Sequence, residues 1–328
     1  MDFSLTYDII YSLAAREGRE DALFGDNASL AHEAFVRSAP CDTFPELWFE
    51  LPLIGEPWFD LHVLTERESL KPGMAFSAEQ TGGNPDVFDW FSRQSDVRQL
   101  ALSWDIGSRG ATSPAVQLLM RRRNLAESSA FFEAVGRAEA VEGYRTFVGR
   151  LPKGWFACYA GTFPHRPGAP IRVECIPTFD QQQAYAQDAS FLENDLRSVG
   201  LTELGDTLIP RSQLFAQSPF HLEFQFDITD DGWAGSTLGA SVRFPPPTPS
   251  QLELSFDAQG ATADLMCKLE EWGLADDRWP LLKDAMFSKR ITSKNESFLL
   301  YCFPAFIKLR WRDGVPVDAK TYLMAGLQ

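Results

Sequence analysis

FIKLRW (306–311) and AKTYLM (319–324), joined through a turn at Asp313-Gly314, decide how this chain is read. Each stretch alternates with period two, the mark of a strand that buries one face and turns the other elsewhere. Ile307, Leu309 and Trp311 make the apolar face of the first, and Lys308 and Arg310 its charged face. Lys320 and Tyr322 share a face of the second. Asp-Gly favours a tight antiparallel turn. The two strands therefore form a hairpin with one oily side and one charged side.

The same design recurs upstream. FPELWFELP (44–52) precedes WFDLHVLT (58–65), and VRQLALSWDI (97–106) precedes AVQLLMRR (115–122). WFACYAGTF (155–163) precedes PIRVECIP (170–177), and FHLEFQFDI (220–228) precedes LGASVRF (238–244). Helical spacing fills the intervals: 4–37 with a break at Gly18, a short helix entered through Asn84-Pro85, and 127–149 with breaks at Gly136 and near Gly143. Further helices fit 180–199, 203–217 and 261–287, the last broken at Gly273. The proline-rich run at 244–250 reads as a stiff loop, because the strand-pair theme resumes after it.

One face of these strands is consistently apolar: Leu47, Phe49 and Leu51; Phe59, Leu61 and Val63; Leu222, Phe224 and Phe226. Helices cover that face. The polar face needs a solvated interior, and a closed sheet supplies one while removing its own edges. Ten strands enclose a lumen too wide for side chains alone to fill. The expected fold is α+β: a ten-stranded antiparallel β-barrel of five α-β-β-α repeats with helices outside, as a single domain over 1–328.

Composition narrows the partners. The chain has 328 residues, 45% hydrophobic and 23% charged, with a formal net charge of −15. That is a globular composition. Its acidity argues against nucleic acid or an anionic membrane as the main partner. The N-terminal stretch lacks the basic start of a signal peptide, and no run approaches the ~20 apolar residues of a spanning helix. Five scattered cysteines form no CxxC pair. A reduced, cytoplasmic protein is expected.

The plan resembles the aromatic and peptide prenyltransferases of the ABBA type, the barrel of fungal indole and cyanobactin prenyltransferases. Lys320-Thr321-Tyr322 resembles their Lys-x-Tyr strand motif. The hairpin ending is also similar to proteins of ribosomal peptide natural-product pathways. The resemblance implies a transferase moving a prenyl group from a soluble isoprenoid diphosphate, dimethylallyl or geranyl, to a peptide or small aromatic acceptor. It implies no firmly bound cofactor and an optional Mg²⁺. Arg172, Arg243, Lys308, Arg310, Lys320 and Tyr322 then hold the diphosphate through charge-assisted bonds. Trp48, Trp58, Trp155 and Tyr159 shield the allylic cation. Glu50 orients the acceptor and takes its proton. Asp60, His62, Glu174, His221, Glu223 and Asp227 line the acceptor side.

Two alternatives stay open. The cations also fit a structural network with the neighbouring acids, to which Asp105 belongs. The acidic lining also suits a barrel that binds or modifies a precursor peptide, as a lyase, cyclase or partner subunit, without an isoprenoid. Asp230-Asp231 and Asp276-Asp277 lack the DDxxD spacing that gathers magnesium, and the four histidines show no ligand spacing, so no metal site is expected. Arg121-Arg122-Arg123 reads as a solvated run. Inner-face groups are expected to cost only the ~1 kcal/mol of an ordinary substitution when removed.

Overall fold

The structure is a computed structural model and describes residues 2–38, 44–70, 86–94, 97–109, 114–120, 125–166, 168, 170–244, 261–292 and 297–328. The arginine run at 121–123, the proline-rich run at 245–250, the Asn84-Pro85 helix start and Cys41 lie outside the described residues.

Alternation becomes a closed sheet. Its strands are β1 (Glu46–Pro52), β2 (Asp60–Glu66), β3 (Val97–Trp104), β4 (Ala115–Met120), β5 (Trp155–Thr162) and β6 (Ile171–Pro177). They continue as β7 (His221–Ile228), β8 (Ala234–Arg243), β9 (Phe287–Thr292), β10 (Ser297–Arg312) and β11 (Val315–Leu327). Each of β1 to β7 pairs antiparallel with the next, β8 pairs β10, β10 pairs β11, and β11 pairs β1. That closes a ten-stranded antiparallel barrel, as the sequence predicts. The ring includes strands on both sides of the proline-rich run.

The eleventh strand, β9, lies outside the ring and was not expected. It pairs with Ser297–Cys302, the part of β10 that precedes its pairing with β8. The predicted helix over 261–287 is instead a helix at Ala261–Glu271 and a single turn at Leu281–Asp284. FSKRIT has no fully buried residue, so it carries no alternation to reveal a strand.

The apolar strand faces pack outward beneath helices. Leu47, Phe49, Leu51, Phe224, Phe226, Ile307 and Leu309 are fully buried. Phe24 reaches down from a short turn at Glu20–Phe24 to meet Phe49 and Phe59 edge-on, at 5.9 and 5.7 Å. Asn27, at the start of the helix Ala28–Ser38, donates to the Phe59 carbonyl at 2.7 Å and accepts from its N–H at 3.3 Å. Those bonds fix the segment that carries Trp58 into β2.

Gly143 does not break its helix, which runs unbroken over Ala140–Arg150. It marks a close approach instead: a Cβ there would lie 2.6 Å from the Asp230 carbonyl oxygen. Gly149 in the same helix has nothing within 4 Å of that position. We expect Gly143→Ala to lose ~1–3 kcal/mol from the forced backbone shift. Gly149→Ala should gain up to ~1 kcal/mol from helix propensity. Urea denaturation of both variants checks this, and equal effects would contradict the assigned packing.

Candidate active site

Strand register decides which polar groups meet inside the barrel. β1 places Glu50 opposite Tyr322 on β11 and opposite Asp60 on β2, while His62 on β2 faces Ser103 on β3. Lys320 Nζ donates to Glu50 Oε1 at 2.5 Å and lies 3.9 Å from Asp60. His62 Nε2 meets Glu50 Oε2 at 2.9 Å, and its Nδ1 meets Ser103 Oγ at 2.6 Å. Burial pushes the Glu50 carboxyl up, but Lys320 and His62 outweigh it and hold the group well below the usual carboxylate range. Glu50 is therefore an ionised and firmly held carboxylate.

The remaining cations also meet acids. Arg172 makes a two-pronged contact with Asp227 at 2.7 and 3.1 Å. Arg310 does the same with Asp318. Arg243 Nε lies 2.9 Å from Glu223 Oε1, an ion pair whose N–H is not aimed at the oxygen. Arg166 and His165, beyond β5, both bind Asp105. Asp60 accepts from the Gly107 backbone N–H at 3.0 Å. The network reading of these charges is thus present in the geometry. It also revises the stability expectation: Lys320 is 4% exposed, and removing it strands a buried Glu50. That costs ~3–5 kcal/mol, not ~1.

Lys308 differs. Its ammonium donates to the Gln225 side-chain oxygen and to the Tyr322 hydroxyl at 3.3 Å. Among the described lumen cations it alone shows no carboxylate partner. Burial pushes its pKa down, the Arg172, Arg310 and Lys320 charges add to that, and the pull of Glu50 leaves it at about 7. Tyr322 is pushed well above its usual value by burial and by Glu50, so it keeps its proton.

Aromatic rings border this lysine. Trp48, Phe306 and Tyr322 contact one another with centroids 4.8 to 6.2 Å apart. Arg243 lies over Phe306 at 4.4 Å. Tyr159 and Phe163 line the same cavity. Trp58 precedes β2 and sits under the Lys320 ammonium at 4.7 Å.

Trp155 is not in the lumen. β5 pairs Ala157 with Cys175 and Tyr159 with Glu174, leaving Cys158 as an extra residue. Such a bulge shifts the alternation by one. Trp155 therefore faces the helices, stacks on Phe224 at 5.0 Å and donates to the Tyr185 hydroxyl at 2.5 Å.

The acids expected on the acceptor side separate by environment. Glu174 lines the cavity and accepts from Gln225 at 3.3 Å. Glu223 is 1% exposed. Burial and the Glu174 charge push its carboxyl well above the usual range, against the pull of Arg243. Asp227 is pushed up by burial and, more strongly, down by Arg172. His221 is exposed, opposite Arg243 in register. Sequence reading missed Ser103, Gln117, Ser241 and Phe306 as inward residues. Extending the period-two phase along β3, β4, β8 and β10 finds them. Phe163, Arg166 and His165 belong to a loop and carry no periodic signal. Among the described residues, no cluster of three metal-binding side chains forms, and no helix is long and apolar enough to cross a membrane.

No protein-family model and no curated protein sequence matches the chain. Solved structures match it in shape. The prenyltransferase PriB in its apo form is 14% identical, with a TM-score of 0.54 over 97% of this chain and 95% of its own. A 5-dimethylallyltryptophan synthase from Streptomyces coelicolor is 13% identical over 99% and 95%, with a TM-score of 0.48. A 6-dimethylallyl tryptophan synthase is 13% identical over 99% and 94%, with a TM-score of 0.47. The fold assignment rests on PriB: the chain has the ABBA prenyltransferase barrel.

The Lys308 environment has a measurable consequence. Its amine binds a proton more weakly folded, at about 7, than unfolded, at ~10.4. Between those values the unfolded chain holds the extra proton, so stability rises with pH. Below about pH 7 both states are protonated and the full burial cost remains. Lys308→Met should therefore out-stabilise wild type most near pH ~6 and lose that advantage towards pH ~10. Urea denaturation across this range reads the difference, and a pH-independent offset would refute it.

Proposed function

We propose that the barrel transfers a prenyl group from a soluble isoprenoid diphosphate to a nucleophilic side chain of a peptide or small molecule. The supporting observation is the aromatic enclosure around Lys308, the lumen cation with no described carboxylate partner. In this reading the C1–O bond of the donor breaks, C1 bonds to the acceptor, and the acceptor loses a proton. Lys308 and the Tyr322 hydroxyl take the leaving diphosphate first. Arg172, Arg243 and Arg310 join by exchanging carboxylate for phosphate oxygen, since a guanidinium fork fits either, and Lys320 adds its charge from its place on Glu50. The rings of Trp48, Phe306 and Tyr322 shield the allylic cation from water. Glu50, ionised beside them, orients the acceptor N–H or O–H and takes its proton once C1 has bonded. The setting is a cytoplasmic, ribosomal-peptide or related natural-product pathway, with dimethylallyl or geranyl diphosphate as co-substrate and Mg²⁺ optional.

A second reading has its own observation. The described lumen carboxylates are at least as many as the cations, and most cations already have acidic partners. That balance suits a cationic precursor peptide bound or modified without an isoprenoid.

Calorimetry with dimethylallyl and geranyl diphosphate separates the two. Glu50→Gln frees Lys320, so donor binding should tighten, while prenyl transfer by mass spectrometry should fall by roughly 10²-fold or more. A wild-type protein that binds neither diphosphate, but binds an arginine-rich peptide, would overturn the transferase reading in favour of the second.

A further inference from the structure

Lys308 and Lys320 face each other directly across β10 and β11. Lys320 is neutralised by Glu50. Lys308 lies 6% exposed against Gln225 and Tyr322, on the cavity wall, with the Trp48 and Phe306 rings alongside. Charged groups of four strands act on it: Glu50 from β1, Arg172 from β6, Arg310 from β10 and Lys320 from β11. A lysine desolvated beside other cations is the arrangement that turns an ammonium into a nucleophilic amine.

We propose that Lys308 is an imine-forming amine, and that the lumen captures uncharged aldehydes with an aromatic or branched apolar body. The amine lone pair adds to the carbonyl carbon and gives a carbinolamine. Its hydroxyl leaves as water with a proton from Tyr322, 3.3 Å from Nζ, and the nitrogen's proton restores the phenol. The balance is one amine and one aldehyde giving one imine and one water. Tyr322 suits the donor role because it stays protonated. The apolar body lies against Trp48, Phe306 and Leu64, where an anionic body would meet Glu50 and Glu174. This capture requires no diphosphate and stands independently of the prenyl-transfer reading.

The test uses the full chain with benzaldehyde and cyanoborohydride, which reduces an imine to a stable secondary amine. Peptide mapping then compares Lys308 with every other lysine in the same sample. Near pH 7 about half of the Lys308 amines are free, against roughly one in a few thousand for an ordinary lysine. The lower basicity costs some nucleophilicity, so Lys308 should be labelled about tenfold faster or more. Its rate should rise with pH to a half-maximum near 7. Tyr322→Phe, which keeps the ring, should slow labelling, and Lys308→Arg should abolish it. Labelling of Lys308 no faster than the exposed lysines overturns the proposal. Because the lysines are compared within the wild-type protein, that outcome depends on no variant folding.

Discussion

The ion pair between Glu50 and Lys320 joins the first strand of the barrel to the last, across 270 residues of chain. Both groups are nearly inaccessible to water, so neither tolerates the loss of the other. The register that unites them also closes the sheet: Glu50 faces Tyr322 and Pro52 faces Lys320. Closure and electrostatics are thus one constraint. A barrel slipped by one residue would turn Lys320 into the apolar layer and Thr321 towards Glu50. His62 and Ser103 extend the same bonded chain across β2 and β3. A stretch of interior polar groups is thereby held in place from the seam outward.

Charge inside such a sheet follows from its width. Ten strands leave a lumen that aliphatic side chains do not fill, and polar groups that line it need partners. Arg172 finds Asp227 on the neighbouring strand, directly opposite in register. Arg310 finds Asp318 in the same way. These are cross-strand pairs of opposite charge, and they support the sheet as well as neutralise it. The consequence for chemistry is that a cation on an inward face is not automatically a free cation.

Period two was legible because burial on one face alone generates it. Leu47, Phe49 and Leu51 alternate with Trp48 and Glu50, and the structure keeps that phase. Trp155 defeated the same reasoning. The extra residue at Cys158 reverses the phase within one strand, and no feature of WFACYAGTF distinguishes a bulge from regular alternation. β9 was illegible for the opposite reason, since an exposed ribbon has no face to bury. The pairing of lumen cations with acids was visible only as a possibility of composition. Which acid meets which cation depends on strand register, and register between distant strands is a tertiary property.

Lys308 and Lys320 show how far that property reaches. They are the same residue type, opposite one another, and each would repel the other if both were charged. Glu50 bonds Lys320 directly, whereas Lys308 bonds Gln225 and Tyr322, and burial and the neighbouring cations push its pKa down. Glu223 mirrors it: burial and Glu174 make that carboxyl reluctant to ionise. Ser241 lies opposite both Lys308 and Glu223, so the two occupy one ring of the barrel with a single strand between them. Two strand spacings put their backbones roughly 10 Å apart. The two groups whose charged forms burial disfavours thus lie on one ring, while the directly bonded pair of Glu50 and Lys320 holds the seam.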